Sequence, residues 1–380
     1  MRKVAVVGVG MVEFGRHPDK TVSDLGTISI TAALEDAGLQ WRDVQSMFCG
    51  VFGGGITPGT RISSDLGLTG IPVVNIENAS ASGSSAFRAA YYEIAAERVD
   101  VAVAVGVGKF GRGGGEIRGP GTPEHREMLV ARAQGVMPPV GLFAMRTRRR
   151  MHDFGCTIEQ LAQVAVKNRR HAALNPYAQL RKPMALEDVL NARMIADPLT
   201  VPHCCPVGDG GSAAVLMSES EARRRGYSPI VTVEASAFRT ATLAAGPDSQ
   251  DADTTRLTCL DAYSEAGVGP KDIDLVQVHD AFTVEEIEYC ESMGFCEVGQ
   301  GERMVDSGAT TIGGRIPFST DGGLLSRGHP TGPTGLAQVW ETVLQLRGQA
   351  GQRQVEGARL GLLHMVGVGG VCLIHILKRN

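Results

Sequence analysis

Short apolar runs recur along the chain at residues 4–9, 73–77, 101–107, 213–217, 230–235, 275–278, 359–364 and 371–377, and each predicts a buried strand. Between them, apolar positions fall at helical spacing over residues 23–37, 83–98, 285–293 and 334–346. Strands alternating with helices build βαβ units, so the expected architecture is α/β with a mostly parallel or mixed sheet.

The order of elements repeats once, at long period. In the first half, strand 73–77 leads through a small-residue turn, Asn78 to Ser85, into a helix with Phe87, Ala90, Tyr91 and Ile94 on one face, and then strand 101–107. In the second half, residues 322–335 lead into a helix carrying Leu336, Val339, Trp340 and Val343, and then strand 359–364. The expected halves are residues 1–225 and 226–380. Residues 112–200, rich in Arg, Pro and Gly, break the pattern and read as an insertion carried by the first half. Segments this long often act as lids or binding loops.

Composition narrows the function classes. At 380 residues and 43% hydrophobic, the chain can bury a large core, as two similar domains or one pseudo-symmetric unit. A net charge of −4 argues against a wholesale electrostatic grip on nucleic acid. No apolar run approaches the ~18 residues of a membrane helix. Residues 4–9, after Met1-Arg2-Lys3, imitate a signal peptide, but the run is short and glycine-bearing, and Glu13 and Arg16 follow; a first strand is the expectation, with cytoplasmic residence. The eight cysteines give no disulfide framework, and His203-Cys204-Cys205 lacks the spacing that brings two thiolates onto one zinc, so buried thiols and no metal site are expected.

The 49 glycines cluster between apolar runs, which points to tight turns and close backbone approaches. Gly106 to Gly111 fits the G-x-G-x-x-G dinucleotide pattern after a strand. Arg112-Gly113-Gly114-Gly115 follows and opens a helix poorly, so no pyrophosphate cradle is expected.

Four segments carry candidate chemistry. The turn Asn78 to Ser85 sits at a predicted helix N-terminus, where the dipole and unpaired N–H groups stabilise an anionic nucleophile or an adjacent oxyanion. His279-Asp280-Ala281-Phe282 follows a strand directly, where open α/β sheets place binding groups. His329 lies in a Gly- and Pro-flanked loop (GGLLSRGHPTG, residues 322–332) before a helix, which presents its ring rather than packing it. His364 ends a strand before the glycine turn 367–370.

These segments in this order resemble the thiolase superfamily, in its sterol-carrier-protein-type and archaeal acetoacetyl-CoA thiolase branches. The resemblance runs over nearly the whole chain and includes NRRHAALNPYAQ (168–179), PVGDGGSAAV (206–215) and GGLLSRGHPTGPTG (322–335). It implies two βαβαβαββ halves in a five-layer α-β-α-β-α core, a loop domain inserted in the first half, and a dimer. It implies coenzyme A as a substrate, no tightly bound cofactor, and in bacterial relatives a small zinc-ribbon/OB-fold partner.

Carried over by position, the family's nucleophilic cysteine falls at Ser80, and its G-H-P histidine at His329. Its N-E-A-F or H-D-C-F loop falls at His279 to Phe282, so an acid/base cysteine of some members is Ala281; its C-terminal cysteine falls at His364. The resemblance places oxyanion-binding backbone at Ser80, Val366 and Gly367, and coenzyme A near Arg146, Arg148, Arg149 and Arg150. His364 is the expected replacement for the missing second sulfur.

Serine needs full general-base help where a thiolate does not. Two readings of Ser80 follow: a serine introduced in place of a cysteine, or a native serine in a chain that works without an acyl-enzyme. The expected function is making or breaking the C–C bond next to a CoA thioester carbonyl, as an acyl-CoA thiolase. The alternatives are a retro-aldolase of β-hydroxyacyl-CoA and a non-catalytic CoA-ester- or lipid-binding subunit.

Overall fold

The computed structural model describes residues 1–52, 55–110, 129–130, 133–136, 139–242, 250–368 and 370–380. Gly111, the Arg112–Gly115 run, residues 116–128 of the insertion and Gly369 lie outside the described residues.

Eleven strands are described: β1 (Val4–Met11), β2 (Ser46–Phe52), β3 (Val73–Ile76), β4 (Val101–Gly108), β5 (Met194–Ala196), β6 (Leu199–Thr200), β7 (Gly210–Ser218), β8 (Val231–Thr240), β9 (Leu275–Gln277), β10 (Leu360–Gly367) and β11 (Val371–Arg379). The α-helices are α1 (Val22–Ala37), α2 (Pro58–Leu66), α3 (Ser82–Ala95), α4 (Val140–Phe154), α5 (Ile158–Ala173), α6 (Leu186–Leu190), α7 (Glu219–Arg224), α8 (Gln250–Ala266), α9 (Thr283–Ser292), α10 (Gly301–Asp306), α11 (Gly323–Ser326) and α12 (Thr334–Arg347).

Nine strands hydrogen-bond in the order β3-β2-β4-β7-β1-β8-β11-β10-β9. The order mirrors itself about β1 and β8, which join antiparallel through Ala5–Thr232 and Val6–Val231. Outward from that seam come antiparallel β7 and β11, then β4 and β10, then the parallel neighbours β2 and β9. Strand β3 closes the first half; a single parallel bridge, Val276 to Phe318, occupies the matching place in the second.

Alternation along the strands separates the layers. Val4 and Val6 of β1 face a central cluster with Phe87 and Tyr91 of α3 and Leu336 and Trp340 of α12. Ala5 and Val7 face outward to Ile30 and Leu34 of α1. In the second half Ile374 and Ile376 face outward to Ala262 of α8 and Tyr289 of α9. The result is α1/α2, sheet, α3/α12, sheet, α8/α9: the expected five layers. Small Ala102 and Ala104 of β4 lie on the central face, which leaves room for two helices between the sheets.

Three expectations shift. Strand 73–77 is an edge strand with Val74 45% exposed, not a buried one. Strand β2 escaped the sequence reading because Ser, Cys and Gly interrupt its apolar run. Helices α5 and α8 escaped it because polar residues occupy their buried faces: Lys167, Asn168 and His171 in α5, and Thr254, Thr255 and Thr258 in α8. Among the described residues no helix is long and apolar enough to cross a membrane.

Candidate active site

The turn between β3 and α3 is held by the helix's own first residues. Ser82 Oγ accepts from Asn78 N–H (2.9 Å) and donates to the Ala79 carbonyl (2.6 Å), while Asn78 Nδ2 donates to Ser85 Oγ (2.8 Å). Ala79 is driven into the left-handed region, φ 49°, a conformation a side chain tolerates only where the surroundings fix it. Ser80 follows, 7% exposed, just ahead of the α3 N-terminus.

The second half brings His329 to it. Ser80 Oγ lies 3.0 Å from His329 Nε2, across 249 residues of chain. The 322–335 loop can approach this closely because glycines meet backbone. A Cβ on Gly332 would stand 2.0 Å from the Val107 carbonyl oxygen, and one on Gly106 would stand 2.6 Å from Gly332 oxygen. Gly106 of the dinucleotide-like pattern therefore seats the histidine loop.

The hydrogen-bond network fixes the His329 tautomer. Thr334 Oγ donates its one proton to the Pro330 carbonyl (2.7 Å), so it accepts from His329 Nδ1–H (2.9 Å). Nε2 is left with its lone pair toward the Ser80 hydroxyl. Burial, then the nearby His279 and Arg327, hold the His329 pKa well below the usual imidazole value. The ring is neutral near pH 7 and poised as a base. The neutral tautomer accepts at Nε2, so it donates to a substrate oxygen only after taking up a proton.

His279 completes the group. Its ring meets His329 edge-to-face with centroids 5.3 Å apart. Its Nδ1 lies 3.0 Å from Glu285 Oε1, and Nε2 is buried without a partner among the described residues. Asp280 points the other way. It accepts from Leu324 N–H (2.7 Å) and from Asn168 Nδ2, and burial, reinforced by Glu286, raises its pKa well above the usual carboxylate range. Asp280 thus tethers the start of the histidine loop.

His364 stands behind His279, fully buried. Its Nδ1 accepts from His279 N–H (3.4 Å), and Nε2 lies 2.9 Å from Thr255 Oγ. Both ring nitrogens are engaged within the protein, and burial drives the pKa well below the usual value. The site brings together Ser80, His329 and His279; His364 braces His279. At the end of β10, Val366 packs into the outer core, and a Cβ on Gly367 would stand 2.4 Å from the Asn78 carbonyl, so this strand end abuts the Ser80 turn.

The four arginines do not converge. Arg146 is paired with Glu288 and Asp251. Arg150, 4% exposed, bonds Glu302 (2.7 Å) and Glu291 (2.9 Å) and pins α4 to α9 and α10. Arg148 and Arg149 are exposed, beside Asp197 and Asp153, and border a surface groove with Val140, Met145 and Ile195.

A buttress that no local pattern marks supports the loop. Lys167 Nζ lies 2.7 Å from both Glu286 oxygens, His171 bridges Ser319 oxygen (3.1 Å) and Ile312 N–H (3.1 Å), and Asn175 Nδ2 donates to Asp321 oxygen (3.0 Å). The NRRHAALNPYAQ stretch was visible as a motif; its bearing on the histidine loop was not. His203 is buried against Thr200, and burial pushes the Cys204 thiol up to about 12. Among the described residues no group of three or more His, Cys, Asp or Glu is placed to hold a metal ion.

A fold of two mirrored halves with a strand-to-helix turn at Ser80 facing a G-H-P histidine defines the thiolase class. The chain belongs to the thiolase family: residues 4–220 match the thiolase N-terminal domain and residues 235–379 the thiolase C-terminal domain-like family. It is 39% identical to an acetyl-CoA acetyltransferase of Methanothermobacter thermautotrophicus, over the full length of both chains. It is 36% identical to the benzoylsuccinyl-CoA thiolase subunit BbsB of Thauera aromatica, over 97% of this chain and 95% of that one. Among solved structures, the Ltp2-ChsH2(DUF35) aldolase matches with TM-score 0.85 and 26% identity, over 99% of this chain and 98% of that one. Human mitochondrial 3-ketoacyl-CoA thiolase shares the fold, with TM-score 0.75 and 18% identity over 100% of this chain and 99% of that one.

Proposed function

We propose that this protein makes or breaks the carbon–carbon bond next to a CoA thioester carbonyl, in the manner of an acyl-CoA thiolase. The observation that carries the reading is Ser80 Oγ set 3.0 Å from the unprotonated Nε2 of His329. In the cleavage direction Ser80 gives its proton to His329 as its Oγ bonds the C3 carbonyl carbon of a 3-ketoacyl-CoA. The C2–C3 electron pair then leaves with C2 as the CoA enolate, and His279, entering this step as the imidazolium, gives its Nε2 proton to C2. A CoA thiol attacks the Ser80 ester, His279 takes the thiol proton, and His329 returns its proton to Ser80. Backbone N–H groups of Ser80, Val366 and Gly367 are the proposed donors to the developing oxyanions.

The absence of sulfur at residues 80, 281 and 364, together with the aldolase among the structural neighbours, favours a second reading, retro-aldol cleavage of a β-hydroxyacyl-CoA. There His329 takes the β-hydroxyl proton, the C2–C3 bond breaks, a carbonyl compound departs, and His279, entering as the imidazolium, gives its Nε2 proton to C2; His329 then releases its proton to solvent and His279 takes one up, which restores both rings. No acyl-enzyme forms. Arg148 and Arg149 are proposed for the CoA phosphates, since both are exposed, whereas Arg146 and Arg150 are held in the less exposed ion pairs with Glu288, Glu291 and Glu302. The exposed edge strand β3 offers backbone for pairing with a second copy, which supports a homodimer. A small zinc-ribbon/OB-fold partner is proposed because the aldolase neighbour pairs Ltp2 with ChsH2(DUF35) and the Thauera relative is a thiolase subunit.

An acyl-CoA panel with and without free CoA tests both routes. CoA-dependent formation of two acyl-CoA products supports thiolysis. A CoA-independent aldehyde or ketone supports aldol cleavage. Binding without turnover of any panel member overturns both.

A further inference from the structure

Glu285 is the first residue of the site that neither motif nor position singled out. It lies in the first turn of α9, fully buried, and three donors converge on its carboxylate. Phe282 N–H gives to Oε2 (2.8 Å); His279 Nδ1 (3.0 Å) and Tyr289 OH (3.2 Å) meet Oε1. A carboxylate accepts only, so His279 carries its proton on Nδ1. That choice leaves Nε2 with its lone pair, on the edge of the ring with no partner among the described residues, beside His329.

We propose that Glu285 is a positioning residue that holds His279 in the Nδ1–H form and stabilises its imidazolium, so that Nε2 takes and returns the α-proton of the CoA ester. The inference rests on the proposed role of His279 and deepens it. A buried carboxylate behind a histidine does two things: it selects the tautomer, and it offsets the charge that appears when Nε2 picks up a proton. The other ionisable groups around His279 lack this geometry. His329 and His364 have their nitrogens engaged elsewhere, and Asp251 is turned to Arg146. Tyr289 extends the relay, and its ring packs on His364 at 4.6 Å, so α9 sets the orientation of both histidines.

The test is hydrogen–deuterium exchange at the α-carbon of acetyl-CoA in D2O, which needs proton transfer but no C–C cleavage. Glu285→Gln replaces one acceptor oxygen by an NH2 group, and exchange should slow about 10²-fold or more with little change in the half-saturating acetyl-CoA concentration. Glu285→Asp, which keeps the carboxylate, should recover part of the rate. Exchange in Glu285→Gln at the parent rate overturns the inference, as does a parent protein that catalyses no exchange. Parent exchange without turnover of any acyl-CoA panel member instead overturns the reaction reading and leaves Glu285 tested. If Glu285→Gln fails to fold, nitrogen-15 histidine spectra of the parent decide. A protonated Nδ1 on His279 is expected, and the Nε2–H tautomer overturns the proposal.

Discussion

Thr334→Val removes one hydroxyl and keeps the shape of the side chain. Thr334 is fully buried at the start of α12, and its hydroxyl does two jobs, donating to Pro330 oxygen at 2.7 Å and accepting from His329 Nδ1–H at 2.9 Å. In the valine variant the Nδ1–H is buried with no acceptor, which costs about 1–3 kcal/mol. The ring escapes by moving its proton to Nε2, and Nε2 then faces Ser80 as a donor and can no longer take its proton. If that penalty falls wholly on the base-competent state, the rate drops roughly 5- to 150-fold at ~1.4 kcal/mol per tenfold. The assay is steady-state turnover of the best acyl-CoA from the panel. The expected result is a lower kcat with KM little changed, a folded protein by circular dichroism, and recovery in Thr334→Ser. A folded Thr334→Val enzyme with the parent kcat refutes the tautomer assignment and, with it, His329 as the base.

Ser80→Cys puts a thiol at the α3 N-terminus with His329 in reach, and acetyl-CoA or a 3-ketoacyl-CoA should leave a covalent acyl adduct visible by intact mass. A folded variant that binds CoA ester yet never labels removes residue 80 from the nucleophile position. For pH, the proposed role of His329 needs the unprotonated ring, and its pKa lies well below the usual ~6.5, so that role should survive acidification through that value. The kcat/KM profile should show no acid limb centred near ~6.5 that His329→Gln abolishes, and finding one contradicts the depressed pKa. Arg150→Ala strands Glu291 and Glu302 as buried charges and should cost about 3–5 kcal/mol, read as a fall in midpoint on urea unfolding, and an unchanged midpoint means the pairs contribute nothing net.

The sequence by itself determined the alternation of strands and helices, the repeat of element order, and the loops that hold Ser80, His279, His329 and His364. These are local signals: the period of apolar positions, small residues ahead of a helix, a histidine framed by Gly and Pro. Each is set by neighbours within a few residues, so each survives in a linear string. Tertiary structure decided what those residues touch. The 3.0 Å approach of Ser80 to His329 joins loops from opposite halves, and the lone pair at Nε2 exists because Thr334 spends its proton on Pro330. His364 matched a catalytic position in the string, yet in the fold both its nitrogens are taken, while Glu285, unmarked in the string, faces His279. Arg146, Arg148, Arg149 and Arg150 read as one basic cluster, but residues of one helix point around its axis, so Arg146 and Arg150 turn inward into ion pairs and Arg148 and Arg149 face outward. Burial and hydrogen-bond partners depend on which surfaces meet, and no local pattern encodes that meeting.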